Sequence, residues 1–422
     1  MKRRDFLRQG AVGASVPLLG GASVLGATPA EPALHPAIAA LRPVKPDEPP
    51  PIGEAEMAER RRAAQRLMAE QRIDALFIEP GANLLYFTGI RWGRSERLFG
   101  MLLPKQGSAI FIAPAFEARR AQSQIGDRYE IRAWEEDQSP YRLIADTLGG
   151  WGTKTGTLAV DESARYFVAH EMAKVAPALR ATTAETITRP CRGVKSAHEI
   201  EIMRFANAVT LEAYRAALQT LREGMTQAEL GASVQAAFKK LGYDGYALVL
   251  FGESSAYPHG LEKPRALESG QIVLVDGGMS VHGYESDMTR TVVFGTPTDE
   301  QRRVFDIVHE AQARALAFAA PGKKCGEVDA VARKVISDAG FGPDYKFFTH
   351  RLGHGIGLEG HEWPYLVRGS EIVLRPGMTF SDEPGIYQYG KFGLRLEDIM
   401  AITESGAELL TPPATSLAPT LA

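Results

Sequence analysis

Hydrophobic positions along this chain fall into short apolar runs set in two different surroundings. Before residue 190 the runs Ala75-Leu-Phe-Ile78, Met101-Leu-Leu103, Ala109-Ile-Phe-Ile-Ala113 and Thr157-Leu-Ala-Val-Asp161 read as strands. The charged stretch that begins at Glu54 and the segment from Phe167 to Val175 read as helices. Strands alternating with helices predict a small α/β layer. Further on, glycines punctuate the pattern instead. The apolar run Gln271-Ile-Val-Leu-Val-Asp276 ends in a carboxylate just before Gly277-Gly278, and a new strand begins at Asp287. With Gly283 also between them, these two segments predict a hairpin whose adjacent strands set Asp276 and Asp287 side by side. Gly390 and Gly393 predict a second hairpin for Glu383 and Glu397, and the two together suggest an internal pseudo-symmetry.

Composition divides the chain further. Residues 28–53 are rich in Ala, Pro and Glu, with Pro43, Pro46 and Pro49-Pro50-Pro51 close together, and predict an extended linker. Arg189-Pro190 and the following Cys-Arg-Gly mark a junction, giving domains at 54–190 and 191–412 and a tail at 413–422. A chain of 422 residues is ample for two cores. A net charge of −3 with mixed signs leaves no basic footprint for nucleic acid or for an anionic membrane. The two cysteines, Cys191 and Cys325, read as buried free thiols. At the start, Met1-Lys-Arg3-Arg4-Asp-Phe6-Leu7 resembles a twin-arginine export signal, followed by a weakly apolar run and small residues at Val24-Leu-Gly-Ala27 suited to cleavage. Residues 1–27 are therefore expected to be a signal peptide read by the twin-arginine export machinery, and the mature protein to be periplasmic or secreted. The run is too short and glycine-rich to span a membrane, and no cysteine beside the cleavage site offers a lipid anchor.

Five residues of the last third carry the candidate chemistry: Asp276, Asp287, His354, Glu383 and Glu397. Four carboxylates and one imidazole suit a pair of divalent ions, Mn²⁺, Co²⁺, Zn²⁺ or Fe²⁺, better than copper or an iron–sulfur cluster. Two such ions about 3.5–4 Å apart share one water and activate it, which is hydrolytic machinery. His354 lies in His350-Arg-Leu-Gly-His354-Gly-Ile-Gly, where glycines let the backbone approach a ligand closely.

The order Asp, Asp, His, Glu, Glu with these flanks resembles the methionine aminopeptidase, prolidase and aminopeptidase P superfamily, the pita-bread metallopeptidases of family M24. The segment Val194-Lys195-Ser-Ala-His-Glu-Ile-Glu-Ile-Met203 is similar to the first helix of their catalytic domain, and Asp74 to Gly89 is similar to the N-terminal domain of prolidases, aminopeptidases P and creatinases. Methionine aminopeptidases lack that domain, and creatinases lack the metal ligands. The resemblance implies an α+β chain, with a pita-bread catalytic domain preceded by a smaller creatinase-like α/β domain. It implies an exopeptidase that hydrolyses Xaa-Pro bonds in dipeptides or at peptide N-termini, with two metal ions, Mn²⁺ foremost, in a homodimer or homotetramer. It further implies that His259, His350 and His361 face the substrate, that Arg395 steadies the ligand network, and that Glu383 is both metal ligand and general base. Where many relatives carry Asn before His259, this chain has Ser254 and Ser255, which bears on how a substrate's amino end would fit. The alternative is a non-peptidase of the same fold, a small-molecule C–N hydrolase or a lyase of the dimethylsulfoniopropionate type.

Overall fold

The structure is a computed structural model that describes residues 34–261 and 265–421. The export signal expected at 1–27 and the first residues of the expected linker lie outside the described residues.

Strands β1 (Ala75–Ile78), β2 (Gly100–Pro104), β3 (Ile110–Pro114), β4 (Glu130–Trp134), β5 (Gly156–Val160) and β6 (Leu179–Thr183) form one mixed sheet in the order β4-β3-β2-β1-β5-β6. Side chains alternate faces along each strand, so Leu76, Ile78, Met101 and Phe111 enter one core while Ala75, Phe77, Leu102 and Ile112 enter the other. The first core is closed by helices Glu54–Gln71, Ala82–Thr88 and Ala118–Ile125, the second by Pro140–Gly150 and Tyr166–Val175. Because both faces are covered, β1, β2 and β3 are buried at every residue, and their continuous apolar runs follow from that.

Arg189-Pro190 does not break the chain. It lies inside helix Glu185–Gly193. Proline removes the N–H that would have bonded the carbonyl of Thr186, and Gln71 Nε2 donates to that carbonyl instead at 2.9 Å. Helix Ala197–Leu218 follows, started by a capping box in which Ser196 and Glu199 exchange hydrogen bonds with each other's backbone N–H.

The second half holds β7 (Gly245–Phe251), β8 (Ile272–Val281), β9 (Tyr284–Glu285) and β10 (Met288–Val293) in one antiparallel sheet, with β8 central. Strands β11 (Gly353–Gly355), β12 (Glu362–Leu366), β13 (Thr379–Asp382), β16 (Asp398–Ile402) and β17 (Ala407–Leu409) form another, and β14 (Gly385–Gln388) pairs with β15 (Phe392–Arg395) as a ribbon. A bridge between Thr289 of β10 and Glu397, the residue just before β16, joins the two sheets. Helices Ala197–Leu218 and Gln227–Leu241 cover one core, and Asp299–Phe318 and Cys325–Ile336 the other.

One compositional expectation changes. The part of the linker from Pro36 to Gly53 is docked rather than extended free. Ile38 is buried, Val44 N donates to Leu241 O at 3.1 Å, and Glu48 accepts from Tyr243. The carbonyls of Pro49 and Pro50 meet ring nitrogens of His282 and His198, both at 2.9 Å. Such a segment cannot build a core of its own, but its proline-stiffened backbone leaves carbonyls free to accept from a surface already formed. The tail at 413–421 is likewise packed, with Ala414 and Leu417 buried and Leu417 O accepting from Val293 N. Cys191 and Cys325 are buried free thiols, as expected.

Candidate active site

Asp276 sits midway along β8, opposite Thr289 of β10, and Asp287 stands just before β10. The hairpin is antiparallel as expected, but its turn is at His282-Gly283 and β8 runs straight through Gly277-Gly278. Those two glycines serve close approach. A Cβ on Gly278 would meet the Ser286 carbonyl at 2.0 Å, and one on Gly277, at φ +150°, the Tyr246 carbonyl at 2.5 Å. In the second pair, Asp382 of β13 lies opposite Asp398 of β16, so Glu383 and Glu397 leave their strands at the same level. Thr289 is the meeting point, opposite Asp276 on one side and Glu397 on the other, and its hydroxyl donates to Glu397 Oε2 at 2.6 Å.

Donor atoms of all five residues converge. Asp276, Asp287 and Glu397 form one group, and His354, Glu383 and Glu397 another, each with ligand atoms within 4.8 Å of one another. His361 closes a third group with Asp287 and His354, so the geometry offers a second imidazole. His354 Nδ1 lies 3.1 Å from the Gly355 carbonyl, which fixes the Nδ1–H tautomer and leaves Nε2 facing Glu383 and Asp287 at 3.4 and 3.8 Å. Burial first, and then His361, hold this imidazole's pKa down to about 3, so it is neutral and able to donate a lone pair. The carboxylates are pushed the other way. Burial raises Glu397 to about 7 with Asp276 adding to it, while Asp287 and Glu383 are driven well up by burial and then by Glu397. Acids crowded out of water with Arg395 the one cation among their charged neighbours fit a bound divalent pair, which supplies the missing positive charge.

Arg395 is engaged four times: Nη2 donates to Asp276 Oδ2 at 2.6 Å, Nη1 to the Tyr387 hydroxyl at 2.7 Å and the Pro258 carbonyl at 3.4 Å, and Nε to Thr289 Oγ1 at 3.1 Å. The Tyr387 hydroxyl in turn faces His350 Nε2 at 2.8 Å, and His350 Nδ1 meets the Arg351 carbonyl at 2.8 Å. That carbonyl selects the tautomer whose Nε2 accepts from Tyr387. The His361 ring stacks on His354 with centroids 3.7 Å apart. His259 is exposed on the loop after β7, making no hydrogen bond among the described residues, and its charge acts on His350 and His361. Of the expected histidines, the structure thus packs His350 into the site, stacks the exposed His361 on the metal-ligand candidate His354 and leaves His259 exposed on its loop. Ser254 and Ser255 are buried and tie down the loop, Ser254 Oγ accepting from Leu261 N and Ser255 Oγ from Gly393 N.

Sequence reading missed Thr289, Tyr387 and Ser381. Ser381 Oγ donates to Glu383 Oε1 at 3.1 Å and accepts from His354 N at 2.9 Å. Thr289 and Ser381 each stand two residues from a donor, Asp287 and Glu383, and that short spacing was the available signal.

Neutral imidazoles beside tightly packed acids, held where two sheets are bridged, fit a hydrolase built around divalent metal. Residues 201–404 match metallopeptidase family M24, and 60–194 match the creatinase/prolidase N-terminal domain. The chain is 33% identical over 358 residues to the Xaa-Pro dipeptidase of Pyrococcus furiosus, covering 84% of this chain and 98% of that protein. It is 36% identical to a probable dipeptidase, PepE, of Mycobacterium bovis, covering 84% and 94% of the two chains. The crystal structure of dipeptidase PepE from Mycobacterium ulcerans superposes with a TM-score of 0.81 at 34% identity, covering 87% of this chain and 99% of that one. The chain belongs to metallopeptidase family M24, with a creatinase/prolidase N-terminal domain.

Proposed function

We propose that this protein is a two-metal exopeptidase that hydrolyses Xaa-Pro peptide bonds. The observation that carries the reading is the convergence of Asp276, Asp287, His354, Glu383 and Glu397 on one buried point from two sheets. These five residues would hold the ions. When bound, such a pair acidifies a shared water and polarises a carbonyl. Glu383, aligned by the Ser381 hydroxyl, takes the proton of the attacking water. Tyr387, accepting from Arg395 and donating to His350, holds those two side chains in place beside the acids. His361 and His259 line the side from which a leaving nitrogen is protonated. Proline's tertiary amide offers no N–H, so protonation of that nitrogen is the demanding step.

Manganese leads the candidate ions, ahead of cobalt, zinc and iron, because oxygen donors predominate. The family resemblance supports a homodimer or homotetramer. The Arg3-Arg4 pattern supports twin-arginine export to the periplasm or beyond, and changing both to Lys should retain the enzyme in the cytosol. The decisive assay is release of free amino acid from Ala-Pro, Ala-Pro-Ala and Ala-Ala-Ala by chelated enzyme resupplied with each ion. Cleavage confined to the proline peptides and restored by metal is expected. Inertness toward all three with two metals bound would transfer the site to a non-peptide substrate.

A further inference from the structure

His350 belongs to a stretch, from Asp344 to Leu352, that is neither helix nor strand, yet one buried ion pair pins its backbone. Asp329 and Arg333 stand one turn apart on helix Cys325–Ile336, only 1% and 5% exposed. They meet as two forks, Nη2 donating to Oδ1 at 2.8 Å and Nε to Oδ2 at 3.1 Å. The guanidinium packs on the rings of Tyr345 and Phe348, 4.3 Å from each. Its remaining hydrogens go to the carbonyls of Phe348 and His350, both at 2.9 Å, and of Asp344 at 3.4 Å. Asp329 Oδ1 in addition accepts from Leu352 N at 3.0 Å.

That last contact reaches beyond Leu352. The Leu352 N–H and the Arg351 carbonyl belong to one trans peptide unit, which is planar and points the two groups in opposite directions. Holding the N–H on Asp329 therefore aims the Arg351 carbonyl, and what the carbonyl meets is His350 Nδ1 at 2.8 Å. A carbonyl only accepts, so Nδ1 carries the hydrogen. Nε2 is left to the hydroxyl of Tyr387, whose oxygen already accepts from Arg395. Leu352 passes the constraint onward as well, its own carbonyl accepting from Glu383 N at 2.9 Å. A histidine's working tautomer is set by the partner of its other nitrogen, and here that partner is itself aimed by a carboxylate one peptide away.

Resting, for its effect on rate, on the Xaa-Pro reading above, we propose that Asp329 is a positioning residue that sets the tautomer of His350, acting through the Arg351–Leu352 peptide without touching the ring. The test reads long-range nitrogen–proton NMR spectra of the full chain with isotope-labelled histidine, loaded with zinc because zinc is diamagnetic. His350 is assigned by its loss in His350→Gln. The parent should show hydrogen on Nδ1 and none on Nε2, and hydrogen on Nε2 instead would overturn the proposal before any Asp329 variant is made. Two variants then share Arg333→Met, so that no buried cation is stranded. With Asp329→Asn the side-chain oxygen still accepts from Leu352 N, and the parent's tautomer should persist. With Asp329→Ala a mixture of the two tautomers should replace it. On Ala-Pro, kcat of the Ala form should fall about 10- to 100-fold below that of the Asn form at equal metal content, the usual cost of losing the group that orients a site histidine. Equal spectra in the two forms, or a rate lost only in proportion to metal, would overturn the relay. Spectra that differ as expected in a protein that leaves Ala-Pro intact, parent included, would sink the Xaa-Pro reading and uphold the role of Asp329.

Discussion

Charge is buried in two places in this molecule, and the two are balanced in opposite ways. At the domain junction the Glu362 carboxylate receives Lys195 Nζ at 2.6 Å and the guanidinium of Arg192, which also binds Glu359 at 2.7 Å and the Asn83 side chain at 2.9 Å. Burial alone would raise the Glu362 pKa, but Lys195 and Arg192 outweigh it and hold the acid below its ordinary value. In the pit one residue beyond, burial and mutual repulsion raise Asp287, Glu383 and Glu397 together, against Arg395 and the hydroxyls of Ser381 and Thr289. The two places protonate in contrary directions because the junction sets two cations against one acid, while Arg395 is the one cation among the pit's charged neighbours. The first arrangement maintains a fold; the second costs the fold stability through its crowded acids, a cost that divalent ions would offset.

The comparison can be broken most sharply by Glu383→Gln. It should lower kcat by about 10²- to 10⁴-fold while leaving the fold cooperative, and a variant that keeps most of its rate would refute the assigned base. Next in size is Glu362→Gln, which strands Arg192 and Lys195 and should cost roughly 3–5 kcal/mol in denaturant titration. Asp287→Asn should do the reverse in chelated protein, stabilising it by about 1 kcal/mol or more as repulsion is relieved, while abolishing bound metal measured by elemental analysis. If both substitutions destabilise the chelated protein alike, the distinction between junction and pit fails. Resupplying metal at about 100 times its dissociation constant should add about 2.7 kcal/mol, read as a higher melting temperature. The smallest effect is in pH. The Glu397 carboxyl is raised in the fold from 4.5 to about 7, so the metal-free fold carries extra protons across that window and loses stability as pH rises through it. Metal binding needs the deprotonated ligands and strengthens over the same window. The gap in melting temperature between loaded and chelated enzyme should therefore widen from about pH 5 to about pH 8, and a flat gap would count against the pit's acids as ligands.

How much of this the sequence disclosed depends on the range over which each feature is built. The four acids were legible because each pair belongs to one local hairpin, and the N-terminal strands because alternation and burial on both faces leave a strong apolar signal. Of the three glycines that marked the connection only Gly283 is in the turn, because Gly277 and Gly278 punctuate a sequence equally well whether they bend a strand or let another strand come close. Thr289 joins Glu397 across 108 positions and Arg192 joins Glu362 across 170, and no local pattern encodes such pairings. The Pro36–Gly53 segment was misread for a related reason, since its composition describes what it cannot do alone and says nothing of the surface that receives it.

That segment has a practical reach. His282, gripped by the Pro49 carbonyl and by Glu48, is the turn from which the chain runs five residues on to Asp287. A recombinant form trimmed to Glu54, where regular structure resumes, would shed that grip while keeping every residue of both domains. Fusion partners and purification tags belong upstream of Pro36, because the brace for the hydrolytic centre begins well before the first domain does.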